Sequence, residues 1–196
     1  MPIRPLPFLA VAVAAVVLGG CTTTQSTRAK SLKPAEGTVL GSVAECRHLT
    51  VVPFGVPSGK RVDPLAGKAL AQDVERRLGS DFGTLFETVE FADARRNLDG
   101  ECVLDGAISK YRKGSRVARA ILMGLGSASL EGQVRVVDPS GKALLEAPFD
   151  KLWAWGGLTG ALKGMEEMTE EVSASIAATV ARAKGWNPPA AAAQKQ

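Results

Sequence analysis

A chain of 196 residues with a formal net charge of +4 is long enough to bury the core of one ordinary domain. The excess is weak and Arg4 of the leader supplies part of it, so the clustered basic stripe that nucleic-acid binding needs is absent and no nucleic-acid partner is expected. With a single histidine, His48, and three cysteines there is no ligand cluster, so neither a metal site nor a cofactor is expected.

The first element is the leader, MPIRPLPFLAVAVAAVVLGGC. It has one early cation, an apolar run from Phe8 to Leu18, and the small residues Gly19 and Gly20. This is the layout of a secretory signal, and the run is shorter than the roughly 20 residues of a comfortable membrane span. The stretch LGGC resembles the lipobox of bacterial lipoproteins. That resemblance implies that residues 1–20 form a signal peptide and that Cys21 becomes the mature N-terminus. Its thiol would carry diacylglycerol and its amine a further acyl chain such as palmitate. Several chains anchor stably where one binds only marginally. The same resemblance implies the outer membrane, with the domain facing the periplasm, because Thr22 stands where an aspartate would favour inner-membrane retention in such lipoproteins.

Residues 21–36 are polar and without apolar period, and read as a flexible tether. The folded domain is expected over 37–186, followed by a disordered tail, 187–196, opened by Asn187-Pro188-Pro189. Inside the domain, Arg47–Phe54 reads as a strand. Asp63 and Pro64 then form a helix start, with a side-chain acceptor at the cap and proline at the first helical position. Ala66, Leu70, Val74 and Leu78 share one helical face, and Gly79 is placed to close it. Leu85–Phe91 and Cys102–Arg112 read as strands. Leu130, Val134 and Val136 alternate with Glu131, Gln133 and Arg135, and Pro139-Ser140-Gly141 turns this strand into the next, a β-hairpin. A last helix spans about Leu162–Lys184, with Met165, Met168, Val172, Ile176 and Val180 three or four apart. Its four glutamates lie early, Arg182 and Lys184 lie late, and Gly185 can cap it. The fold class is α+β: about five strands in a mixed sheet, order β-α-β-β-β-β-α, with two helices on one face.

Cys46 and Cys102 remain once Cys21 is lipidated. An oxidising compartment favours a disulfide between them, and two buried free thiols are the alternative. Each begins a predicted strand, and neighbouring parallel strands would bring their ends together.

Catalytic signals are weak. His48 heads a strand and reads as a surface or half-buried residue rather than a base. The acids of EEMTEE read as the solvated face of a helix, and GLGSAS lacks the strand, helix and third glycine of a phosphate-binding loop. The expectation is therefore a protein that is not an enzyme. Two glycine-rich segments stand out. One places Arg116 and Arg119 a helical turn apart beside Ile121, Leu122, Met123, Gly124, Leu125 and Gly126; the other repeats Gly156, Gly160 and Gly164 at every fourth residue. Core packing and an interaction surface are both readings of these segments. In the packing reading, Arg116 pairs with an acid such as Asp105 or Glu131.

The stretch GSRVARAILMGLGSASLEGQVRVVDPSGKAL resembles the bacterial lipoprotein family known as domain of unknown function 4410. The matching positions are Gly114, Ser115, Arg116, Arg119, Gly124, Gly126, Asp138 and Gly141. The family implies an envelope lipoprotein without a defined activity. The reading reached is a non-enzymatic, lipid-anchored outer-membrane lipoprotein that binds an envelope protein partner through the loop of Arg116, Arg119, Gly124 and Gly126, and a homo-oligomer is compatible with it. The alternative is a subunit of an oligomeric secretion or pore assembly. It would insert a glycine-rich segment into the membrane and is disfavoured, because VARAILMGLG does not alternate as the 9–11 residues of a membrane strand do.

Overall fold

The computed structural model describes residues 37–58, 63–96, 98–115, 127–153 and 164–187. Six strands form one sheet: β1 (Thr38–Val39), β2 (His48–Val51), β3 (Thr88–Phe91), β4 (Glu101–Arg112), β5 (Ala128–Val137) and β6 (Ala143–Trp153). Among the described residues two helices, α1 (Ala66–Phe82) and α2 (Met165–Ala183), pack with this sheet. The sheet order is β1-β6-β5-β4-β2-β3. Strands β2, β3 and β4 are parallel, whereas β4-β5-β6-β1 is antiparallel throughout. The α+β class holds, with six strands rather than five. The extra strand is β1, two residues whose backbone finds partners at Glu146 and Leu145.

Leu104, Ile108, Leu130, Val134, Val136, Leu145 and Ala147 point to one face, and both helices cover it. Against this face α1 buries Leu70, Ala71, Val74 and Leu78, and α2 buries Met168, Val172, Ile176 and Val180. The period of 3.6 in the helices thus meets the period of 2 in the strands over a single core. The helices run side by side in the same sense. Arg77 of α1 reaches the side chains of Glu170 and Ser173 at 3.0 Å each, and Phe82 meets the Trp186 ring edge-on, centroids 5.0 Å apart.

Several boundaries differ from expectation. Gly79 lies inside α1 rather than capping it, because the helix runs on to Phe82 and its contact with Trp186. Asp63 and Pro64 precede the helix by a turn, and the Asp63 carboxylate accepts the Leu65 amide at 2.9 Å. A 3₁₀ turn, Gly83–Leu85, takes the front of the expected second strand. Helix α2 begins at Met165, where the Glu167 carboxylate accepts the Gly164 amide at 2.7 Å. The acids of EEMTEE do more than solvate: Glu170 pairs with Arg77, and Glu171 with the buried Lys151 of β6. Gly185 closes α2 as expected, with φ +108 and its amide on the Arg182 carbonyl. Gly132 has no room for a side chain: a Cβ there would sit 2.3 Å from both the Ala107 carbonyl oxygen and the Phe149 ring. The ring of β6 lies over the bare backbone of β5 at this point.

Candidate functional site

The topology sorts the molecule into two ends. At one end β2, β4 and β6 finish, β5 starts, and both helices begin. The register fixes this: Arg112 of β4 is opposite Ser129 of β5, which is opposite Leu152 of β6, and Ala128 is opposite Trp153. The connections 59–62, 116–126 and 154–163 leave and rejoin the described chain at this loop end. Arg116, Arg119, Gly124 and Gly126 fall in the second of them and lie outside the described residues, as do Gly156 and Gly160 in the third and Cys21 at the N-terminus. The two acids that the packing reading offers to Arg116 each have a described partner. Asp105 takes Arg135 in a two-pronged pair at 2.7 and 3.0 Å, and Glu131 takes Lys110 at 2.6 Å.

Between the first turn of α1 and the ends of β4 and β5 lies a cavity of about 130 Å³. Leu70, Ile108 and Leu130 give it an apolar floor, and Asp63, Tyr111 and Thr169 bring polar atoms. Two of these are committed locally, Asp63 to the Leu65 amide and Thr169 to the Met165 carbonyl. Preformed small-molecule sites run from about 300 Å³ upward, so this space is small for an organic ligand. Burial, aided by the Asp63 charge, pushes the Tyr111 phenol above its ordinary pKa of 10.0. The folded state therefore favours the neutral phenol. Its contribution is complete below pH 10 and is lost as pH rises through the folded pKa. Tyr111 is the one tyrosine of the chain, so tyrosinate absorbance reports it alone. The titration midpoint is expected above that of the urea-unfolded chain; equal midpoints would contradict the packing described.

The opposite end is stapled. Cys46 and Cys102 form a disulfide with Cα atoms 5.5 Å apart. Cys46 lies two residues before β2 and Cys102 is the second residue of β4, which is parallel to β2. Lys184, just past α2, donates to the carbonyls of Ala44 and Cys46 and lies 5.2 Å over the Phe86 ring. Burial lowers its pKa. His48, the first residue of β2, has Nδ1 at 2.8 Å from the Thr88 hydroxyl and Nε2 at 3.6 Å from Glu87.

One anchoring residue escapes sequence reasoning. Glu101, fully buried on the sheet face opposite the helices, accepts the Thr50 hydroxyl at 2.6 Å and the Arg96 and Leu98 amides at 2.9 Å each. It holds the connection between β3 and β4 flat against the sheet. Arg95 extends this clasp: its Nε lies 3.9 Å from the Glu101 carboxylate, and its guanidinium donates to the Asp138 and Pro139 carbonyls in the β5–β6 turn. An acid followed by an apolar strand is the only sequence signal for it.

Among the described residues, no group of three or more His, Cys, Asp or Glu could hold a metal ion, and no helix is long and apolar enough to cross a membrane. The family described as domain of unknown function (DUF4410) matches residues 57–157. No curated protein matches the chain. Among solved structures, the PelC dodecamer from Paraburkholderia phytofirmans in space group P6 has a TM-score of 0.54 at 16% identity, covering 78% of this chain and 98% of its own. A variant of the same protein, also a dodecamer, in space group C2, gives 0.52 at 16%, with 74% and 95% covered. At that identity the likeness is one of fold.

Proposed function

We propose, for a chain that belongs to the DUF4410 family, that it is a non-enzymatic lipoprotein of the outer membrane, anchored at Cys21 and facing the periplasm, and that it works as an assembly of its own copies. The loop end, with Arg116 and Arg119, offers that assembly's contact to an envelope protein partner. The observation that carries this reading is the fold shared with PelC over nearly the whole of that chain, in a protein that crystallises as a dodecamer.

Anchoring and assembly are separable in this reading, since the lipid sits on residue 21 and the folded domain begins near residue 37. Cys21→Ser should move the protein from the membrane pellet to the soluble periplasmic fraction while leaving its assembled size unchanged. A variant that stays in the pellet, or a mature wild-type chain whose intact mass carries no acyl groups, would overturn the anchor.

A further inference from the structure

The two edges of the sheet are complementary, and we infer that a second copy of this chain docks by pairing its β1 with β3 of the first, continuing the sheet from subunit to subunit. This rests on the assembly reading above and assigns the contact surface. One straight row crosses the sheet: Val39 opposite Leu145, Leu145 opposite Val136, Val136 opposite Leu104, Leu104 opposite Val51, and Val51 opposite Phe91. The four inner residues are fully buried under the helices. The two outer ones are not: Val39 is 58% exposed and Phe91 is half-buried. An apolar row thus ends in a partly accessible side chain at both edges, at the same level of the sheet and on the same face, with Lys68 Nζ 5.5 Å from the centre of the Phe91 ring.

The backbone agrees with the side chains. The Ala92 amide donates to the Val51 carbonyl, so even-numbered residues of β3 turn towards β2, and Val89 and Phe91 turn their N–H and C=O to the open side. The Leu40 amide donates to the Leu144 carbonyl, which leaves Val39 as the outward residue of β1. Strand sense agrees as well. Strands β3 and β6 run one way and β1 the other, so copies related by rotation about an axis along the strands bring β3 and β1 together antiparallel. Phe91 then faces Val39 as a hydrogen-bonded pair, an aromatic and a β-branched side chain on one face.

The contact is confined to β1 by the rest of that edge. Beyond β1, strand β6 carries Pro148, which offers no amide, and an inward Lys151 held by Glu171, two devices that blunt an edge against pairing. The edges lie on opposite sides of the subunit, so the contact is head-to-tail and can close into a ring, with every loop end on the same rim.

The test mixes two variants of the full chain, Leu40→Cys and Glu90→Cys, positions that face each other in this register as a non-hydrogen-bonded pair. Their α-carbons would be about 4.5 Å apart, within disulfide range. Under mild oxidation the mixture should give a covalent heterodimer, and neither variant alone a homodimer. Val39→Asp, at an exposed position, should weaken self-association by about tenfold or more, because it places an unpaired carboxylate in the joint. A wild-type chain that is monomeric overturns the assembly reading and this contact with it. An assembled wild type whose mixture gives no heterodimer, with Val39→Asp assembled equally well, overturns the contact alone.

Discussion

Glu101→Ala should destabilise the domain by about 3 kcal/mol, a large part of the 5–15 kcal/mol that holds a typical domain folded. The carboxylate accepts a hydroxyl and two backbone amides in full burial. Removing it leaves three donors without a partner, each costing about 1–3 kcal/mol unless water reaches it. Arg95 would lose its nearby carboxylate at the same time. The expected signature is a lower urea midpoint together with faster amide exchange at Arg96 and Leu98, because the clasp opens from the sheet. Glu101→Gln keeps one acceptor oxygen and should cost about half as much. A loss below about 1 kcal/mol for the alanine variant would show that the clasp contributes little to the folded state.

Replacing both Cys46 and Cys102 by alanine should cost about 4 kcal/mol. The bridge spans a sequence separation of 56 and closes a loop that contains β2, α1 and β3. The chain entropy released on opening a loop of that size is worth about 4 kcal/mol at room temperature. Both residues also belong to the core, so truncation removes some packing. Lys184 would still hold the Cys46 carbonyl, which keeps the local geometry and places most of the loss in the unfolded state. The matching observation is that a strong reductant lowers the urea midpoint of the wild type to that of the double variant. A midpoint insensitive to reductant would contradict the staple.

These two features differ in how far they could be read in advance. The disulfide was within reach because Cys46 and Cys102 each stand at the start of a β-rich run, and strand starts meet when strands are parallel. The hairpin of β5 and β6 and the buried stripe of α2 were legible for the same reason: alternation at Leu130, Val134 and Val136, and three-four spacing from Met168 to Val180, are local signals. Glu101 was not legible. Its role comes from Arg95, Arg96 and Leu98 lying back over a sheet face, and nothing near it in sequence announces that the acid is inside. Strand β1 is two residues long and owes its existence to β6, more than a hundred residues away. The length of α1 was underestimated because Gly79 has the composition of a stop signal. A glycine costs a helix interior about 1 kcal/mol, and the burial of Leu78 and the Phe82–Trp186 contact outweigh that. For the candidate site, the sequence singled out the arginines and glycines of one loop, whereas the topology brings three connections and two helix starts to the same end. That convergence depends on which strands are parallel, a non-local property.

Sedimentation equilibrium of the full chain, extracted in a mild detergent with the bound detergent density-matched, tests the central claim most directly. The account predicts a mass that is a fixed multiple of one chain and is held on dilution through the micromolar range. A mass of one chain at every concentration would contradict it.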